Sequence, residues 1–148
     1  MVTGQPSVPE AARERLRAAM AHHEQGDIAA ALAEARQALE FAPDFADARS
    51  YLGTTLITRE GRYAKGLAEL EQADKAAPED PAIAYTLGWC YEFVAHRVSR
   101  RARPGLEPEQ LYRKAEAALR RCLELYPDEG MRGDAKDLLS SIIKEDVR

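Results

Sequence analysis

Three prolines close three runs of the same shape, and this recurrence constrains the chain more than any other feature. Residues 38–43 read A-L-E-F-A-P, residues 73–78 read A-D-K-A-A-P, and residues 122–127 read C-L-E-L-Y-P. Pro43 and Pro78 stand 35 residues apart, and Pro127 follows Pro78 by 49, one such unit plus an insertion. Self-similarity at this period marks repeated supersecondary units, each too small to bury its own apolar face, so neighbours must stack.

Between the prolines the apolar period is helical. Ala31, Ala35, Ala38 and Leu39 recur on one face, as do Leu52, Gly53 and Leu56, then Leu87, Gly88 and Tyr91, then Ala115, Leu119 and Cys122. No useful length alternates with a period of two, so no sheet is expected. Turn signals fall at Gly26-Asp27, Arg59-Glu60-Gly61 and Arg103-Pro104-Gly105. Ser7-Val8-Pro9-Glu10 reads as a capping box with an early proline, which would start the first helix there. Asp27 and Asp80 are placed to cap helices, with Pro81 just inside the next. The expected helices are 9–24, 28–41, 45–59, 62–76, 81–100, 108–125 and 131–146, making three antiparallel pairs and a final helix. Residues 1–8 read as a tail and 9–148 as a single domain.

Composition removes whole classes of function. Apolar residues at 45% and charged residues at 31% suit a folded domain. The net charge is −4, so there is no bulk basic field and nucleic acid is disfavoured as a partner. Cys90 and Cys122 have neither metal nor redox spacing. No apolar run approaches the ~18 residues a membrane span needs. Met1 to Glu10 carry no basic start, apolar core or lipidation cysteine, so a cytoplasmic protein is expected. Phosphate-binding glycine loops, nucleophile elbows and H-E-x-x-H are all absent from the sequence. His22 and His23 are adjacent and diverge by about 100° on a helix, a poor chelate, and His96 is distant in sequence. The expectation is a chain that is not an enzyme, with no cofactor and no metal.

The spacing resembles the tetratricopeptide repeat, a helix–turn–helix unit of about 34 residues. Repeat one covers about 12–45; its first helix carries Ala18, Ala19 and His22 at the pattern positions, and its second matches through Gly26, Ala31, Ala35, Ala38 and Pro43. Repeat two, about 46–80, matches through Leu52, Gly53, Leu56, Gly61, Tyr63, Gly66, Leu70, Ala73 and Pro78, with one extra residue at its turn. Repeat three, about 81–129, carries Leu87, Gly88 and Tyr91, then Tyr112, Ala115, Leu119, Cys122 and Pro127. Between its helices lies an insertion near 97–110. The resemblance implies an all-α solenoid of three helix pairs. Ala135, Leu138, Leu139, Ile142 and Ile143 form an apolar stripe that suits the last helix, about 131–146, as a cap.

The resemblance also implies where a partner would bind, because the first helix of each repeat lines the family's concave side. The exposed stripe there holds Arg13, Leu16, Arg17, Met20 and His23, then Asp47, Ser50, Tyr51, Thr54, Ile57 and Thr58, then Tyr85, Thr86, Trp89, Glu92 and Phe93. Tyr85, Trp89 and Phe93 stand at i, i+4 and i+8 on a helix whose core face is already filled by Ala84, Leu87, Gly88 and Tyr91. Tyr and Trp are favoured as binding anchors; packing within the chain is the competing role. Some members grip a C-terminal carboxylate with Lys, Asn and Arg, but the matching positions here are Leu16, Met20, Tyr51, Ala82 and Thr86, so that specificity is not expected. Arg97, Arg100, Arg101 and Arg103 form a secondary basic patch in the insertion, either a dock for an acidic group or a complement to the helix dipole neutralised by Glu107 and Glu109.

The reading is a non-catalytic protein–protein interaction module. It would act as an adaptor or chaperone holding an extended segment or amphipathic helix of another protein in the groove, as bacterial assembly factors and secretion chaperones of similar build do. The alternative is a homo-oligomer, a structural scaffold assembling through the aromatic stripe or the last helix. A weaker alternative is an RNA- or phosphate-binding regulator acting through the arginines.

Overall fold

The computed structural model describes residues 7–146. They form α1 (Glu10–Glu24), α2 (Ile28–Phe41), α3 (Ala46–Glu60), α4 (Tyr63–Ala76), α5 (Pro81–Arg100), α6 (Pro108–Glu124) and α7 (Glu129–Asp146). The fold is all-α and built of helix pairs, and every expected helix is present with its ends displaced by two residues at most. The expected tail lies partly outside the described residues. By its contacts the chain divides into two compact units, Met1–Pro78 and Glu79–Arg148.

In the first unit α1 packs on α2, α2 on α3, and α3 on α4. The start of α1 corrects one expectation. Ser7 makes no capping box; Pro9 is the N-cap, with ψ 144°, and no side chain caps it. The residue before a proline is pushed out of the helical region, so Val8 cannot be the first helical residue. Pro9 O therefore accepts the first helical amides, Ala12 N at 3.0 Å and Arg13 N at 3.2 Å. Glu10 is left free of the cap and accepts a hydrogen bond from Arg17 Nη2. The next start behaves as the sequence implies: Asp27 Oδ1 accepts from Ala30 N at 3.1 Å. At the end of α3, Gly61 adopts φ 64° and its amide bonds Ile57 O at 3.2 Å while Arg62 N bonds Leu56 O at 2.9 Å. This paired closure needs a left-handed residue, which glycine supplies without strain.

The α3–α4 crossing is set by two glycines. A Cβ on Gly53 would lie 2.6 Å from Gly66 O, and one on Gly66 would lie 2.5 Å from Ile57 Cγ1. The backbones touch there, so Leu56, Ile57 and Leu70 are fully buried around them.

In the second unit α5 packs on α6, and α7 covers α6 and, to a lesser extent, α5. Asp80 Oδ1 accepts from Ala82 N at 2.9 Å and Pro81 sits at the helix start. Gly88 faces Leu119 and Ala115 of α6, where a Cβ would come within 2.8 Å of Leu119 Cγ. The insertion is half helix: α5 runs on to Arg100 and α6 begins at Pro108, and residues 101–107 between them turn around Pro104-Gly105, closed by a bridge between Arg103 and Leu106. Asp128 Oδ1 accepts from Met131 N at 2.8 Å, which starts α7 two residues earlier than expected. Ala135, Leu139 and Ile142 are buried, whereas Ile143 stays exposed.

Candidate functional site

On the first unit the N-terminal segment, α1 and the start of α3 enclose an open cleft of about 560 Å³. Arg13, Leu16, Arg17 and Met20 line it, one and two turns apart on one face of α1. Val8, Ala21, Glu24, Phe45 and Asp47 complete the wall. Val8, Leu16 and Phe45 pack against the small core cluster of Ala12, Ala38 and Ala48, which fixes an apolar floor. Met20 is 47% exposed and lies beside that floor. Arg13 Nη2 donates to Val8 O at 2.9 Å and ties the N-terminal segment to α1. The cleft is thus apolar within, with two guanidinium groups toward the start of α1 and the Glu24 carboxylate toward its end.

The other expected groove residues of this unit behave differently. Tyr51 hydrogen-bonds His23 Nδ1 through its hydroxyl at 2.7 Å, with the rings edge to face at 5.6 Å. It also packs on the cluster of Ala19, Leu32, Ala35, Leu52 and Leu56. Arg59 Nη2 reaches His23 Nε2 at 3.5 Å, a long contact. This pairing gives His23 a structural partner. Thr54 is half-buried, and its carbonyl accepts from Thr58 Oγ1 at 2.8 Å. Ile57 is a correction: it is 1% exposed and fills the space left by Gly66, so it belongs to the core and not to a groove.

On the second unit Trp89, Phe93 and Arg97 form a ladder along α5. The Trp89 and Phe93 rings stack at 5.4 Å and 25°, and Arg97 Cζ lies 4.8 Å from the Phe93 centroid. All lie within the range where ring–ring and cation–ring attraction operates. Glu92 is half-buried beside them. Tyr85, one turn before Trp89, is half-buried and stands outside the stack. Its phenol is pushed above the ordinary value of 10.0, first by burial, then by the Asp134 carboxylate of α7 and by Cys122. Of the three aromatics, Trp89 and Phe93 form the ladder, and half-buried Tyr85 takes no part in it.

Cys90 and Cys122 are both buried and reduced. Burial pushes the Cys122 thiol up, against the smaller lowering effect of Arg121; a raised thiol is a poor nucleophile. Among the described residues no group of His, Cys, Asp and Glu could hold a metal ion, and no helix is long and apolar enough to cross a membrane.

The family description "Tetratricopeptide repeat" fits residues 22–87. These residues belong to the tetratricopeptide repeat family. A tetratricopeptide repeat-containing protein of Pseudomonas aeruginosa is 31% identical over 109 residues, 74% of this chain but only 16% of that relative's length. Two solved structures share the fold at low identity. The first tetratricopeptide repeat domain of Spaghetti (RPAP3), bound to an HSP90 peptide, superposes with a TM-score of 0.73 at 14% identity, covering 94% of this chain and 95% of that one. The Yersinia enterocolitica type III secretion chaperone SycD, in complex with a peptide of the translocator YopD, does so with 0.70 at 11% identity, covering 93% and 96%.

Within this repeat architecture the sequence pattern located Arg13, Leu16, Arg17, Met20 and Asp47 of the cleft and missed Val8, Ala21, Glu24 and Phe45. Phe45 had a signal: it is a lone aromatic inside the polar linker between Pro43 and Asp47. Val8 had none, because a residue before the first helix has no period to place it.

Proposed function

We propose that the chain is a non-catalytic protein-interaction module, an adaptor or chaperone that holds a segment of a partner protein in the cleft along α1. The cleft carries the reading: an apolar floor with a half-exposed methionine, open to solvent and edged by charge, fits a short peptide or one helix face. Two structures of the same fold are peptide complexes by description, which supports this class of ligand. The mechanism is preorganisation. The α1–α2 pair is fixed by its core, so little order is lost on binding and most of the ordering cost falls on the peptide. Two or three apolar anchors at roughly 1.5–3 kcal/mol each total at most about 9 kcal/mol, and association costs several of these, so micromolar affinity, about 8 kcal/mol, needs polar contacts as well. Arg13 and Arg17 are placed to supply them.

The test is affinity capture from native lysate with mass spectrometry, comparing the intact chain with Arg13→Glu/Met20→Ser. Both altered residues are exposed, so the helical circular dichroism should be unchanged. A protein retained by the intact chain and lost from the variant is the expected result. Equal capture by both would remove the cleft from the function.

A further inference from the structure

We propose that the C-terminal half of α5 is a second docking surface, shaped for an acidic protein segment with a large apolar side chain beside its carboxylates. The inference rests on the chain being an interaction module, but it uses a surface other than the α1 cleft. Phe93 is flanked by Trp89 one turn before and by Arg97 one turn after. A guanidinium held over a ring keeps its in-plane N–H donors outward, in the fork that matches a carboxylate. Arg97, Arg100 and Arg101 are exposed, and none of the three forms a side-chain hydrogen bond or ion pair among the described residues. Glu107 and Glu109, the acids that follow them in sequence, pair with none of them. Complementing the helix dipole would account for cations at this end, but not for an aromatic ladder leading into them.

The partner is an acidic protein segment and not a nucleic acid for a geometric reason. A base-stacking platform needs successive free ring faces; both flanks of Phe93 are occupied, which leaves at most one face of Trp89. A carboxylate needs only the free guanidinium edges, while Trp89 offers its half-buried ring to an apolar neighbour.

A random dodecapeptide phage library selected on the full chain tests this. Enrichment of peptides carrying Asp or Glu next to Leu, Phe or Trp is expected. Synthetic copies should change the emission of Trp89, the chain's single tryptophan. Their affinity should fall at least tenfold in Arg97→Glu/Arg100→Glu, by less in the milder Arg97→Gln/Arg100→Gln, and steeply with added salt. The cleft variant Arg13→Glu/Met20→Ser should bind them as the intact chain does. Circular dichroism on each variant confirms the fold. Selected peptides without acidic bias, or with unchanged affinity for both arginine variants, would overturn the proposal. Loss in the cleft variant alone would overturn it while leaving the cleft reading standing. A random 20-nucleotide single-stranded RNA pool is run in parallel. RNA retained through Arg97 and Arg100, with no acidic peptide enriched, would overturn it in favour of nucleic acid.

Discussion

Cys122 sits at the buried face of α6, and the Tyr85 phenol of α5 feels burial and the Asp134 carboxylate; both groups resist ionisation in the folded chain. A group whose folded pKa is raised holds its proton more tightly when folded, so it adds stability below its unfolded pKa and loses it as pH rises past. The unfolded thiol ionises around its ordinary value of 9.0 and the phenol around 10.0. The urea midpoint should therefore hold from pH 7 to about 9 and fall above it. Cys122→Ala should flatten the part of that fall between pH 9 and 10, with a lower midpoint at neutral pH from the lost sulfur packing. A midpoint whose alkaline slope is the same in both proteins would mean that Cys122 is not the group responsible. At this same scale Ile57 shows where pattern reading ends. Its place in the period is shared by half-exposed Thr54, and only the missing side chain of Gly66 on the facing helix turns it inward.

At the scale of elements, glycines decide how closely helices approach. Gly66 in α4 has no room for a Cβ, because Ile57 and the Gly53 carbonyl stand 2.5 and 2.6 Å from where it would lie. Gly133 in α7 has nothing within 4 Å. Alanine is the better helix former by about 1 kcal/mol, so the two sites should respond with opposite signs. Gly133→Ala should stabilise by about 0.5–1 kcal/mol. Gly66→Ala should destabilise by about 1–3 kcal/mol as the crossing is pushed apart. Thermal unfolding of the pair checks this; a gain at both positions would show that the α3–α4 contact is looser than the distances imply. Helix existence and ends were legible in the sequence because Asp27, Asp80, Pro81 and Gly61 carry local signals that act wherever the helices pack. The Ser7 box failed because a competing local rule, the restriction that Pro9 imposes on Val8, is stronger than the capping preference.

For the whole molecule, the informative element is α7. Ala135, Leu139 and Ile142 are buried on it, and it packs over α6 and α5. Ending the chain after Asp128 would uncover that side of the second unit and create an apolar patch of the kind that associates. The truncated protein should show a mass that rises with concentration in sizing experiments with light scattering, while the full chain does not respond in this way at the same concentrations. A truncated protein that stays the size of one chain would mean that α7 is not needed to cover the unit. The net charge of −4 coexists with three unpaired arginines at the end of α5, so the average hides the local field. The charge total spoke to bulk attraction, and the site question turned on which acids reach which bases.

The sequence by itself determined the repeat period and, among the described residues, seven helices with no strand, because helical periodicity, proline stops and capping aspartates act over a few residues. It also placed Arg13, Leu16, Arg17 and Met20 on one helix face, since spacing alone does that. Only the tertiary structure decided which faces stay open. Val8 and Phe45 join the cleft through packing on Ala12, Ala38 and Ala48, contacts between residues far apart in sequence. Tyr51 is drawn to His23 and Ile57 into the gap at Gly66 by neighbours that no local rule names. Exposure is a property of what lies opposite, and what lies opposite is set by how helices cross.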